Sequence, residues 1–307
     1  PARMALLTYT TTLVKYDRYL AVVLRAAGVE DLISTAEGFF LARLRRIDPR
    51  VRVDYGIVAR LAASLNGTEF MTNAELATEL EDFLFANAVT REEYLDDVVL
   101  RRGMRQPLSA QQRALVWGVR ARVIDEMERA GTLSKNWSRM RLIEHLERTP
   151  GDPAVCDVDL AYVDESQDLT AVDLKALKLM TRRGLVLAGD AGQTIYGVGS
   201  PYRRAGIDIS GRTRVLRTSF RTTCPIQEAA DRYRALTRRE EEEPNPQAFR
   251  EGPVPELYTA ATRDEIDRLL LARVGLFVDT LGYDPENLTV LAPTRGDVAR
   301  IGQLLTR

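Results

Sequence analysis

Hydrophobic and polar positions along the chain switch between two periods. Residues 4–14, MALLTYTTTLV, make an apolar and β-branched run closing on threonines, which predicts a buried strand opening into a loop. KYDRYLAVVLRAAG follows with helical spacing, and Gly28 serves as its stop signal. From 36 to 149 the period is helical and arginine-rich, and no strand is predicted, so this stretch is expected to be an inserted all-helical lobe. Within it, PLSAQQRALVWGVRARVIDEMERAG predicts a helix capped by Ser109 and ended by Gly131. Leu115, Val116, Val119, Val123, Ile124 and Met127 supply its apolar face.

From residue 159 the pattern alternates. Strand LAYVD, helix TAVDLKALKLMTRRG and strand LVLAGD are followed by strand TRVLRTSF and helix CPIQEAADRYRAL, with Pro225 at the helix start. This is the pattern of a parallel sheet with crossover helices, an α/β fold. Residues 238–256, RREEEEPNPQAFREGPVPE, combine a charge block with prolines and read as a linker. A new unit then begins with helix RDEIDRLLLARVGLFVDTLG and strand LTVLAPTR. The expected organisation is one α/β domain from 1–35 and 150–237, interrupted by the lobe at 36–149. The linker and the start of a second domain, 257–307, follow it.

Composition narrows the class. A chain of 307 residues, 45% hydrophobic and 28% charged, suits a soluble globular protein with room for two or more cores. No apolar run approaches the roughly 20 residues that cross a bilayer, and Pro1-Ala2-Arg3-Met4 does not open an export signal, so a cytoplasmic protein is expected. With 43 basic against 44 acidic residues, any nucleic-acid contact must come from local clustering. Cys156 and Cys224 lack metal-ligand spacing and read as small buried residues or free thiols.

The chemistry concentrates where LAYVD and LVLAGD each end on an aspartate. Ligands of open parallel sheets bind beyond the carboxyl ends of the strands, so Asp164 and Asp190 face one crevice. A strand-end carboxylate such as Asp164 can hold a hydrated Mg²⁺, and the adjacent Glu165 can polarise an attacking water. Gln167 and Gln193 are neutral groups placed to orient a water or sense a phosphate. Strand-end acids can also be plain helix caps, but D-E-x-Q-D followed by G-D-x-x-Q-x-I-Y asks for more than a cap.

VDESQDL resembles motif II, the Walker B motif, and LAGDAGQTIYG resembles motif III of superfamily 1 helicases of the UvrD/Rep type. LRTSFRTTCPI is similar to motif IV, usually N-Y-R-S, and LLTYTTTLV to motif Ia, usually L-T-F-T-N. The resemblance implies a RecA-like motor domain with a helical insertion and the start of a second RecA-like domain, using ATP and Mg²⁺. It implies that Asp164 binds Mg²⁺ and Glu165 is the general base, with Gln167 and Asp190 at the nucleotide. Gln193 would contact the γ-phosphate, and Arg221 would stabilise the transferring phosphoryl group. Tyr9, Thr10 and Tyr196 would meet single-stranded nucleic acid, DNA in preference to RNA, and Thr35 in ISTAEGFF echoes motif Ib.

The departures are equally specific. No G-x-x-x-x-G-K-[ST] occurs, motif IV carries Ser219 and Phe220 for the usual Asn and Tyr, and GVGSPYRRAG lacks the usual aromatic-Arg-Gly. Motifs V and VI are missing too, so a truncated motor, inactive by itself, is expected. The alternative is a nucleic-acid-binding or partner-docking module with a helicase-like fold and no ATPase. His145 lacks a second ligand at metal spacing, and Trp117 and Trp137 sit at core spacing, so all read as packing residues. The cluster Arg43, Arg45, Arg46, Arg50 and Arg52 reads equally as a phosphate track or a solvated face.

Overall fold

The computed structural model describes residues 2–25, 32–96, 107–190, 201–237 and 247–306. The contacts divide the chain into two compact units, one running to Val215 and one starting at Leu216.

The first unit opens with β1 (Met4–Thr8), α1 (Thr11–Val23), β2 (Ile33–Thr35) and α2 (Ala36–Ile47). The strand expected over 4–14 is thus cut at Thr8 and its threonines start a helix, because the extended Thr10 turns its hydroxyl to accept from the Leu13 N–H at 3.3 Å. Next come β3 (Arg52–Val53), α3 (Ile57–Leu65) and α4 (Asn73–Thr78), the last continued by a π-helical stretch Glu79–Phe85. Then follow α5 (Arg91–Leu95), α6 (Ala110–Arg129), β4 (Thr132–Leu133) and α7 (Lys135–Arg148). The helical stretch therefore contains strand after all, since β3 pairs with β4 in parallel. β5 (Val158–Val163), α8 (Ala171–Met180), β6 (Thr181–Leu187) and the short α9 (Pro201–Arg204) complete the unit.

Four parallel strands make the main sheet, in the order β2-β1-β5-β6. Ala5, Leu7, Ala161 and Val163 point to one face and are buried, as the two-residue period of a strand requires. They join an unbroken cluster with Phe39, Phe40 and Leu44 of α2, Val116 and Met127 of α6, Leu142 of α7 and Leu174 of α8. The lobe and the sheet therefore share one core. On the other face α1 packs Val14 and Ala21 onto Ile33 and Leu6, while Met4, Tyr162 and Val186 remain exposed. Within α6, Ser109 caps the first turn through a reciprocal bond pair with Gln112, and Gly131 takes φ +59 just past the end, as the sequence predicts. Leu115 departs from the expected apolar face and is exposed.

A buried ion network ties the lobe to the sheet. Arg139 on α7 is 1% exposed and donates from Nε to Asp173 on α8 at 2.9 Å, and from a terminal nitrogen to Glu37 on α2 at 3.2 Å. Asp173 also closes the capping box of α8, accepting from the Thr170 N–H at 3.1 Å. Burial alone would push its carboxyl up, but Arg139 and Lys135, with the Thr170 bonds, hold it below the ordinary carboxylate range.

The second unit contains β7 (Thr218–Thr223), α10 (Cys224–Thr237), β8 (Gln247–Arg250), α11 (Arg263–Gly275) and α12 (Arg295–Leu305). β7 and β8 pair in parallel around α10. Two expectations are corrected here. The linker holds a strand, β8, and no strand forms over 288–295. The run LRTSFRTTCPI, 216–226, groups with residues beyond 247 and not with the main sheet. Among the described residues of this unit no side chain is fully buried. Among the described residues of the chain no helix is long and apolar enough to cross a membrane.

Candidate functional site

The parallel order brings the carboxyl ends of β1, β2, β5 and β6 to one edge, and the candidate residues before 191 gather there. Asp164 follows β5 and donates its N–H to the Leu7 carbonyl at 2.9 Å, which extends the β5–β1 ladder by one step. Ala188 follows β6 and donates to the Val163 carbonyl at 2.8 Å, and Ser166 donates back to the Ala188 carbonyl at 2.9 Å. The turn after β5 is thereby stitched to the turn after β6.

Glu165 has φ 52 and ψ 42, a left-handed conformation that a side chain with a Cβ rarely adopts. It is half-buried between the exposed Asp164 and a short 3₁₀ turn, Ser166–Asp168. Its own N–H reaches the Asp164 Oδ1 at 3.0 Å, and its Oε2 accepts from the Gln167 amide at 2.5 Å. The other end of that amide, Oε1, accepts from the Asp190 N–H at 3.1 Å. Ser166 is anchored separately by a 2.9 Å hydroxyl contact with Tyr202 of α9.

Gly189 is the residue that sequence reasoning missed. A Cβ built there would lie 2.5 Å from the Gln167 Oε1 and 2.8 Å from the Ser166 Oγ, so a larger residue would have to push both side chains aside. The available signal was a glycine at the end of a strand pattern, which marks close backbone approach.

Carboxylates crowd the edge. Burial and the charge of Glu165 push the Asp168 carboxyl up, and burial and the charge of Asp164 push up Asp17, which α1 brings in. Among the described residues no group of three or more His, Cys, Asp or Glu side chains is arranged to hold a metal ion.

Tyr9 stands beyond β1, 43% exposed. Thr10 and Thr35 both cap helices, Thr35 accepting from the Gly38 N–H at 3.0 Å, so the N-termini of α1 and α2 open at the same edge. Arg221 lies on β7 in the second unit, exposed. Gln193 and Tyr196 lie outside the described residues.

Both tryptophans serve packing. Trp137 is buried against Phe85, and Trp117 stacks on Tyr94 with the Arg120 guanidinium 4.4 Å from its centroid. His145 contacts Asp152 at 2.6 Å. The arginine cluster divides: Arg43 is buried over the Phe39 ring and, with Arg46, grips Asp157, while Arg45, Arg50 and Arg52 are exposed. Cys156 and Cys224 are free thiols.

In comparisons with known proteins, no protein-family model matches this chain and no curated protein matches it.

Proposed function

We propose that the chain carries the Mg²⁺- and water-handling edge of an ATP-dependent motor resembling superfamily 1 helicases of the UvrD/Rep type, working on single-stranded nucleic acid, DNA in preference to RNA. The reading is carried by one observation: the Asp164–Glu165 turn and the Gly189–Asp190 turn meet beyond the sheet, held by Gln167 and by the absence of a Cβ at Gly189. The parallel order β2-β1-β5-β6 and the crossover helices suit a RecA-like domain. Glu165 takes a proton from the attacking water, and Asp164 is the carboxylate for the cation. When bound, Mg²⁺ with the nucleotide neutralises charge on the phosphates. The N-termini of α1 and α2 and the ring of Tyr9 suit a strand's phosphates and bases. Gln193, Tyr196 and Arg221 take the roles their motifs imply, γ-phosphate contact, base stacking and phosphoryl stabilisation.

Hydrolysis also needs a phosphate cradle, and the 307 residues contain no G-x-x-x-x-G-K-[ST] run. Residues 1–307 alone should therefore show no detectable ATPase and only weak, salt-sensitive binding to single strands, weaker again in Tyr196→Ala. Protein made from the entire coding frame, with any segment upstream of Pro1, should hydrolyse ATP faster when single-stranded DNA is added. Glu165→Gln should then lower turnover by roughly 10² to 10⁴. Wild-type turnover in that variant would remove Glu165 from the mechanism.

The missing cradle and the Ser219-Phe220 pair favour one other reading, a nucleic-acid-binding or partner-docking module without ATPase. It prevails if the coding frame starts at Pro1, or if the entire protein binds single strands and leaves ATP intact.

A further inference from the structure

We infer that Gln167 is a positioning residue whose amide links the Glu165 carboxylate to the backbone of the Gly189–Asp190 turn, so that a shift of that turn re-aims the carboxylate. The inference rests on the reading of Glu165 given above, although the bridge itself does not depend on it. Gln167 is 6% exposed and both ends of its amide are engaged. Nε2 donates to the Glu165 Oε2 at 2.5 Å, and Oε1 accepts from the Asp190 N–H at 3.1 Å. A carboxylate only accepts and a backbone N–H only donates, so these two partners allow a single orientation of the amide. One N–H of the amide remains beyond this bridge, so the nucleotide contact that the motif implies for Gln167 is compatible with it.

The surroundings make this link responsive. Glu165 sits on a left-handed backbone that its neighbours must hold in place. On the opposite side Gly189 lets its turn press against the Gln167 oxygen, and the Ser166–Ala188 bond fixes the base of both turns. The Gln167 side chain spans from the carboxylate to the turn. It converts displacement at the end of β6 into displacement of the group that handles water at the end of β5.

Two variants separate the ends of the bridge. Gln167→Glu keeps the length and an acceptor for the Asp190 N–H but removes the donor to Glu165, whereas Gln167→Met removes both. In residues 1–307, hydrogen exchange of the Asp190 amide should stay slow in Gln167→Glu and accelerate by about tenfold or more in Gln167→Met. In protein from the entire coding frame, both variants should lower kcat by roughly tenfold to a hundredfold, with the KM for ATP changed by no more than about twofold. A merely structural loss would instead raise KM and lower the melting temperature. If Glu165→Gln abolishes turnover while both Gln167 variants keep wild-type kcat, the inference is overturned and the ATPase reading stands. If Glu165→Gln keeps full turnover, the ATPase reading falls. The exchange rate then decides the bridge, and an unchanged rate in Gln167→Met overturns it.

Discussion

Glu165 holds its left-handed backbone at a cost of about 1–3 kcal/mol, and such a cost persists only where neighbours impose it. The neighbours here are the Ser166–Ala188 bond, the Gln167 bridge and the closeness that Gly189 allows. Gly189→Ala should therefore destabilise the protein by about 1–3 kcal/mol, because the new Cβ must displace Gln167 and Ser166. Urea denaturation checks this, and an unchanged midpoint would mean that the two turns separate freely. Asp164 and Asp190 were legible in the sequence because a parallel strand ending in an acid puts that acid at a fixed edge. Gly189 and the left-handed Glu165 were not, since neither the gap between two turns nor the backbone angle inside one is written in a local pattern.

At the scale of elements, α8 shows how the lobe is attached to the segment that follows β5. Its capping box uses Asp173, and the same carboxylate neutralises the buried Arg139, so one residue starts the helix and attaches it to α7. Asp173→Asn removes one of the two carboxylates that the described residues give the buried guanidinium, leaving Glu37, and should cost about 3–5 kcal/mol at pH 7. The Asp173 carboxyl is held below its unfolded value of about 3.9, so its contribution is complete above that pH and is lost as pH falls through the lower folded value. The stability gap between wild type and Asp173→Asn should accordingly stay constant from pH 7 to about 5 and narrow progressively as pH falls below about 4. Urea titrations at each pH measure it, and a gap that does not narrow at all below pH 4 would exclude the charge as its origin. The T-x-x-D spacing of the cap was readable, but its link to an arginine 34 residues earlier was not. Element boundaries failed for physical reasons as well. Three threonines favour strand until one of them caps a helix, β2 is only three residues long, and β8 is hidden between a charge block and prolines.

Across the whole chain the two units differ in how they are held. The first has a continuous core, whereas among the described residues of the second the apolar side chains, including Leu216, Phe220, Leu257 and Leu291, stay largely open to solvent. Amide hydrogen exchange should thus be slowest along β1 and β5 and faster by orders of magnitude across 247–306. Comparable protection in both regions would contradict the burial pattern. Charge balance and overall composition indicated a globular chain, but which residues form a core was settled only by the register of β1 on β5 and the packing of α2, α6 and α7 on that face. The shared core also bears on protein engineering. A lobe with its own interior could be excised or exchanged between chains like a cassette. Here Leu7 and Val163 of the sheet are covered by the same cluster that fills the lobe, so a graft that replaced 36–149 with a short loop would strip the floor beneath Asp164. Any transplant of this insertion has to carry the matching sheet residues with it.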